Sequence, residues 1–294
     1  MSDEAEPADG GPVVFMVGSD EPLGVGDVFA IKVDADSEPE LIEAGVKALR
    51  TQGARGQISR HYGYSLGANL EAESAAEAYF DVEAAMYFST GYLFGMMAMA
   101  GLKNDFGAIF LDDKAHYSLS DGAMTSGKPV YPFKHLDPED LQQRLEEHLV
   151  PGQVPMVATD AMFPTSGSIP RLDRYYQVLE PYRGWLLADE SHSFGVLGEN
   201  GRGAVEKFGL PWDRVVAGGS LGKAFCASGG LAIGKRKVID AMWKSHPARG
   251  AALGMSSGAA MTAASMTYLR SHPEQLMLLR RNIRYFKDGL RKIG

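Results

Sequence analysis

The chain has 294 residues, with 29 lysines and arginines against 37 aspartates and glutamates, a formal net charge of −8. That balance argues against a nucleic-acid partner, which selects a basic face. The single cysteine, Cys226, excludes an intramolecular disulfide and a cysteine-based zinc site, and it fits a reducing, cytoplasmic setting.

Hydrophobic residues make up 45% of the chain, enough for a sizeable core. Residues 1–12 are small and acidic and are expected to be disordered. The apolar run from Val13 to Val17 is short and lacks a basic start, so no secretory signal is read there. No apolar stretch is long enough for a membrane-spanning helix.

Ala84–Phe88 reads as a strand, followed by a Ser-Thr-Gly turn and a helix from about Tyr92 to Gly101. Met96, Met97 and Met99 in that helix read as packing residues rather than a binding surface. Ala108–Leu111 is a second strand. Asp137-Pro138 forms an N-cap with proline in the first turn, predicting a helix to about Leu149. Met156–Thr159, Trp185–Ala188 and Val215–Ala217 are further strands. A final helix begins near Pro273, with Leu276, Leu279, Ile283, Phe286 and Leu290 on one face. Strands alternating with helices give an α/β class: a mostly parallel sheet covered on both faces, with ligands beyond the carboxyl ends of the strands.

The groups that carry chemistry follow those strands. Lys223 sits in Gly218-Gly219-Ser220-Leu221-Gly222-Lys223-Ala224. The spacing fails a nucleotide P-loop, because three residues separate Gly218 from Gly222 and Ala224 follows the lysine. A surface lysine in a turn is the bland alternative. Asp189 ends a wholly apolar run, where a buried carboxylate needs a cationic partner; a helix N-cap is its bland alternative. An acid ending one buried strand and a lysine after the next suit pyridoxal phosphate: the acid keeps the pyridine nitrogen protonated, and the lysine forms a Schiff base with the aldehyde. Glu190, adjacent to Asp189, points the other way and makes no glycosidase pair. His192 could reach the cofactor's phenolic oxygen or be a satisfied loop histidine. His116, in Asp112-Asp113-Lys114-Ala115-His116-Tyr117-Ser118, could stack on the ring and move protons, although its position alone proves nothing. Ser89-Thr90-Gly91-Tyr92 opens a helix and offers a phosphate seat, to which Ser220 could add a hydroxyl. Cys226 reads as a small buried hydrophobe.

Together these residues resemble the α-oxoamine synthases, which include 8-amino-7-oxononanoate synthase and serine palmitoyltransferase, within the fold type I, aspartate-aminotransferase-like pyridoxal phosphate enzymes. The most specific block is Asp189-Glu190-Ser191-His192-Ser193-Phe194-Gly195, ending Gly201-Arg202-Gly203. Phe88 to Tyr92, His116 with Ser118, and Ser220-Leu221-Gly222-Lys223 followed by Gly229-Gly230 match further family motifs, and the likeness spans roughly residues 50 to 294. The resemblance implies pyridoxal 5'-phosphate as cofactor and Lys223, His116 and Asp189 as catalytic residues. It implies cofactor contacts from Thr90, Gly91, Tyr92, His116, Asp189, His192, Ser220, Lys223 and Ser256, and no metal. It implies condensation of an amino acid with an acyl-CoA, usually with decarboxylation, in a homodimer with the active site at the interface. Other chemistry on the same cofactor, such as transamination, and an inactive subunit of a hetero-oligomer are the competing readings. On the same basis residues 13–50 are expected to form the N-terminal segment of a small domain or arm and residues 51–294 the large cofactor-binding domain, with the usual C-terminal small-domain segment absent.

The chain departs from the family in places. Pro164 stands where a serine usually contacts the cofactor, and it cannot donate that bond. The early Asn-Tyr-Leu-Gly segment has no clear counterpart near residues 28 to 38. Gly56-Gln57-Ile58-Ser59-Arg60 and Ser256-Ser257-Gly258-Ala259 keep their family patterns only loosely. These positions face substrate, so an unusual substrate is expected.

Overall fold

The structure, a computed structural model, describes residues 39–53, 67–251 and 253–293. The acidic start, the segment near 28–38 and the run from Gly56 to Arg60 lie outside the described residues.

In chain order the first elements are α1 (Pro39–Gln52), α2 (Gly67–Phe80), β1 (Ala84–Phe88), α3 (Leu93–Gly101), β2 (Ala108–Asp112) and α4 (Tyr117–Thr125). Then come β3 (Val130–Phe133), α5 (Pro138–His148), β4 (Pro155–Asp160), α6 (Leu172–Leu179), β5 (Trp185–Asp189) and α7 (Ala204–Phe208). The last are β6 (Val215–Ser220), β7 (Gly230–Gly234), α8 (Arg236–Trp243), α9 (His246–Ala251), α10 (Ser256–Ser271) and α11 (Glu274–Ile293).

The seven strands form one sheet in the order β1-β7-β6-β5-β4-β2-β3. The run from β6 to β3 is parallel throughout, while β7 pairs antiparallel with both β1 and β6. The mostly parallel expectation therefore holds, with one reversed strand that short apolar runs do not announce. Wholly buried strands feed two cores, because successive side chains point to opposite faces. Leu186 joins one core with Phe110 and Val157, while Leu187 joins the other with Ile109 and Met156. Met97 and Met99 are fully buried in the second core, as expected of packing residues. On the first face α10 packs against α1 and α2. α1 runs unbroken through residues 50 and 51.

Local chemistry sets several ends. The Asp137 side chain accepts the Asp140 amide at 2.8 Å, and Pro138 follows it, which starts α5 where the sequence places it. β3 contains Pro132 and pairs with β2 alone, the edge position where a missing amide is tolerated. Three expected strands run further than their apolar cores: β4 to Asp160, β5 to Asp189, β6 to Ser220. Those extensions deliver polar residues to the carboxyl edge of the sheet.

Candidate active site

Asp112, Asp160, Asp189 and Ser220 end β2, β4, β5 and β6. In the parallel ladder Asp160 lies directly opposite Asp189, and Asp189 opposite Gly218. Asp189 is 4% exposed; its Oδ1 accepts the Ser191 amide at 2.9 Å, and the Ser191 hydroxyl donates to it as well. Burial pushes its carboxyl up, and those bonds, Lys223 and His116 pull it back. A buried acid with so little compensation is a seat for a cation.

β6 can pass this close only because Gly219 lacks a side chain. It sits at φ +153°, and a Cβ there would lie 2.4 Å from Ser191 Oγ and 2.8 Å from Asp189 Oδ1. The Ser220 amide donates to Ser191 Oγ at 2.8 Å, tying β6 to the β5 turn. Beyond Ser220 the chain closes a compact loop through Leu221 N to Gly229 O at 3.0 Å and Ala227 N to Leu221 O at 3.1 Å. Lys223 projects from that loop, half-buried. Burial lowers its pKa first, opposed by Asp189 and Asp160, so its amine is shifted toward the free base that nucleophilic chemistry needs.

The two histidines join the same field. His116 caps α4; its amide donates to Asp160 Oδ2 at 2.8 Å. Its Nδ1 accepts the Ser118 amide at 3.3 Å and lies 2.7 Å from Ser118 Oγ, which places the ring proton on Nε2. Burial lowers the His116 pKa, with Asp189 raising it and Lys223 lowering it. Burial, then the neighbouring Lys223 and His116, push His192 down to about 3. Both imidazoles are thus held neutral at physiological pH.

The Thr90-Gly91-Tyr92 turn meets Ser220. A Cβ on Gly91 would fall 2.5 Å from the Ser220 N and Cα, so only glycine lets the turn before α3 seat against the end of β6. Thr90 Oγ1 accepts the Tyr92 amide at 3.4 Å, and Ser220 Oγ accepts the Gly222 amide at 3.2 Å. A glycine-lined cradle at a helix start, flanked by two hydroxyls, fits a phosphate. The set as a whole fits pyridoxal 5'-phosphate: a buried acid for the ring nitrogen, a free-base-shifted lysine for the aldehyde, and this cradle for the phosphate.

Not every expected residue joins them. Ser256 is fully buried at the start of α10, and its hydroxyl donates to the Gly53 carbonyl at 2.8 Å, so that donor is spent on a helix contact. Cys226 corrects its expectation: it is half-exposed at φ +51° and lines the cavity with Lys223, rather than being a buried hydrophobe. Glu190 points away from Asp189, as its neighbouring position dictates. Its carboxylate accepts the Ala204 and Val205 amides at 2.8 and 2.9 Å and the Ser193 hydroxyl, capping α7. Burial pushes it up to about 7. Glu190→Ala strands those two buried amides and is expected to cost about 1–3 kcal/mol in urea unfolding. An unchanged unfolding midpoint would rule out the capping role.

Asp160 is not singled out from the sequence, and Ser118 and Ser191 enter it only as members of matched motifs. Asp160 follows an apolar run, the same signal that marks Asp189, so it was visible there.

A cavity of about 1030 Å³ opens onto Lys223 and His192, walled by Met162, Phe194, Leu276, Leu279 and Ile283, with Arg280 on its border. The apolar face expected at the end of the chain therefore lines this cavity. Arg280 Nη2 donates to the Gly198 carbonyl, fixing α11 to the loop after β5.

Comparison with known proteins accords with this geometry. The family described as aminotransferase class I and II matches residues 32–294. The chain is 29% identical to the serine palmitoyltransferase of Bacteroides thetaiotaomicron over 290 residues, covering 97% of this chain and 70% of that protein. It is 36% identical to the 8-amino-7-oxononanoate synthase of Aromatoleum aromaticum over 197 residues, covering 67% of this chain and 49% of that protein. The structure of Sphingomonas wittichii serine palmitoyltransferase superposes with a TM-score of 0.82 at 27% identity, over 92% of this chain and 67% of that one. The chain thus spans about half to seven-tenths of the length of these relatives.

Proposed function

The chain belongs to the aminotransferase class I and II family, and from that premise we propose that it is a pyridoxal 5'-phosphate-dependent acyltransferase of the α-oxoamine synthase type. Its substrates are an amino acid and an acyl-CoA. A bond forms between the amino acid Cα and the acyl carbonyl carbon, the C–S bond breaks, coenzyme A leaves as the thiol, and loss of carbon dioxide gives an amino ketone. The observation that carries this reading is the meeting of Lys223, Asp189, His116 and His192 in one field beside the Gly91–Ser220 cradle.

In this reading Asp189 holds the ring nitrogen, Lys223 the aldehyde carbon, and Thr90, Gly91, Tyr92 and Ser220 the phosphate. Bound there, the cofactor supplies an electron sink for the bond broken at Cα. Lys223, shifted toward the free amine, accepts the Cα proton. His116 is fixed through Asp160 and Ser118 and offers Nε2–H as a single oriented donor. Met162, Phe194 and the α11 face keep water from the acyl carbon and match an apolar acyl chain. Pro164 and the spent hydroxyl of Ser256 leave fewer cofactor hydroxyls than the resemblance implies.

The cytoplasmic setting and the homodimer with its site at the interface are part of the same proposal. The test is amino-acid-dependent thiol release from acyl-CoA, screened over the twenty amino acids and several chain lengths. Release with one pairing supports the reading; keto acid formation without thiol release overturns it in favour of transamination.

A further inference from the structure

Asp160 and Asp189 are opposite one another on adjacent parallel strands, so their side chains leave the sheet on the same side. Both are buried, at 2% and 4% exposure. Each has one oxygen pinned by a backbone amide: Asp160 Oδ2 by His116 at 2.8 Å, Asp189 Oδ1 by Ser191 at 2.9 Å. The cationic groups acting on them, among the described residues, are Lys223 on both and His116 on Asp189. Burial lowers His116 and Lys223 alike, so neither fully offsets the two acids.

Among the described residues, the other ionisable neighbours are engaged elsewhere or uncharged. Asp112, at the end of β2, adds a third carboxylate, and it is held by His135 Nδ1 at 2.9 Å and by the Lys114 amide at 3.0 Å. Glu190, after β5, is turned to the α7 amides. His192, on the same turn, carries no charge at neutral pH. Two like charges on facing residues of adjacent strands, both buried, disfavour each other's ionisation.

We propose that Asp160 and Asp189 share one proton in the cofactor-free protein, and that seating the protonated pyridine ring expels it. The carboxyl O–H bond breaks, the proton goes to solvent, and the ring N–H⁺ takes its place beside Asp189. Asp160 thus acts as a positioning residue through Asp189 and, by its bond to the His116 amide, through His116. Burial and then Asp189 push Asp160 up to about 8, so the shared proton is present at neutral pH. The sign follows: cofactor binding that releases a proton strengthens as pH rises and weakens as pH falls below about 8.

This inference rests on the proposed cofactor, and its test separates the two. Pyridoxal 5'-phosphate is titrated into cofactor-free protein at pH 7 by calorimetry, in buffers of different ionisation enthalpy. Wild type is expected to release about one proton more than Asp160→Asn, and its affinity is expected to climb up to about tenfold per pH unit between about 6 and 8, with the variant much flatter. Asparagine keeps an acceptor for the His116 amide, so a merely structural loss does not change the proton count. Should the variant fail to fold, infrared difference spectra of wild type supply the second measurement: a protonated-carboxyl band present without cofactor and lost on binding. Equal proton counts, or no such band, overturn the shared proton while the Lys223-dependent absorption band still supports the cofactor. A protein that takes up no cofactor at Lys223 overturns both.

Discussion

Lys223→Ala is expected to remove the cofactor absorption band and to lower amino-acid-dependent thiol release by on the order of 10⁴-fold or more. The side chain carries two duties, covalent attachment and proton transfer at Cα, and the loop that presents it has no second amine between Leu221 and Gly229. The loop itself closes through backbone bonds from Leu221 and Ala227, which alanine at position 223 leaves intact. Added methylamine should restore part of the rate by standing in for the lost amine. Turnover within tenfold of wild type would exclude Lys223 as the reacting amine.

Asp189→Asn is the second large effect. Asparagine keeps the shape and an acceptor for the Ser191 amide but loses the charge that holds the ring nitrogen protonated. The rate of Cα proton exchange is expected to fall by on the order of 10²–10³-fold, the size seen when one group stabilising developing charge is removed. Cofactor attachment at Lys223 should survive. Solvent-deuterium exchange at Cα, followed by NMR, measures it directly. An unaltered exchange rate would mean that Asp189 is only the turn-former its bond to Ser191 also makes it.

Where the sequence was informative, burial had left a strong pattern. Ala84–Phe88 and Trp185–Asp189 are wholly buried strands, and they read as short apolar runs bounded by turns. Asp189 and Lys223 stand out in the sequence because an acid ending such a run, and a lysine among glycines after the next, have few structural uses. β7 was not legible: Gly230–Gly234 has two glycines and three apolar residues, too little for a periodic signal, and its direction depends on pairing with β1 and β6. β3 was hidden by Pro132 and by partial exposure at the sheet edge. α10 is rich in alanine and serine, so its packing against α1 and α2 leaves no strong apolar stripe to read.

The same distinction separates the site residues. Gly91 announces a turn, but that its missing Cβ makes room for Ser220 comes from tertiary contact. Asp160 stands in the sequence like any acid after a strand; its meaning comes from the register that sets it opposite Asp189. Cys226 departs from its expectation because its place on the cavity wall comes from the tight loop around Lys223, where it adopts a left-handed backbone. Ser256 matched a family position, yet its hydroxyl bonds Gly53, a contact across two hundred residues that no local pattern encodes.

The central claim is one covalent bond between the Lys223 amine and the cofactor aldehyde. Borohydride reduction of the protein reconstituted with pyridoxal 5'-phosphate, followed by peptide mass mapping, traps that bond as a stable secondary amine. A phosphopyridoxyl group is expected on the peptide carrying Lys223. Label on another lysine, or none at all, would contradict it.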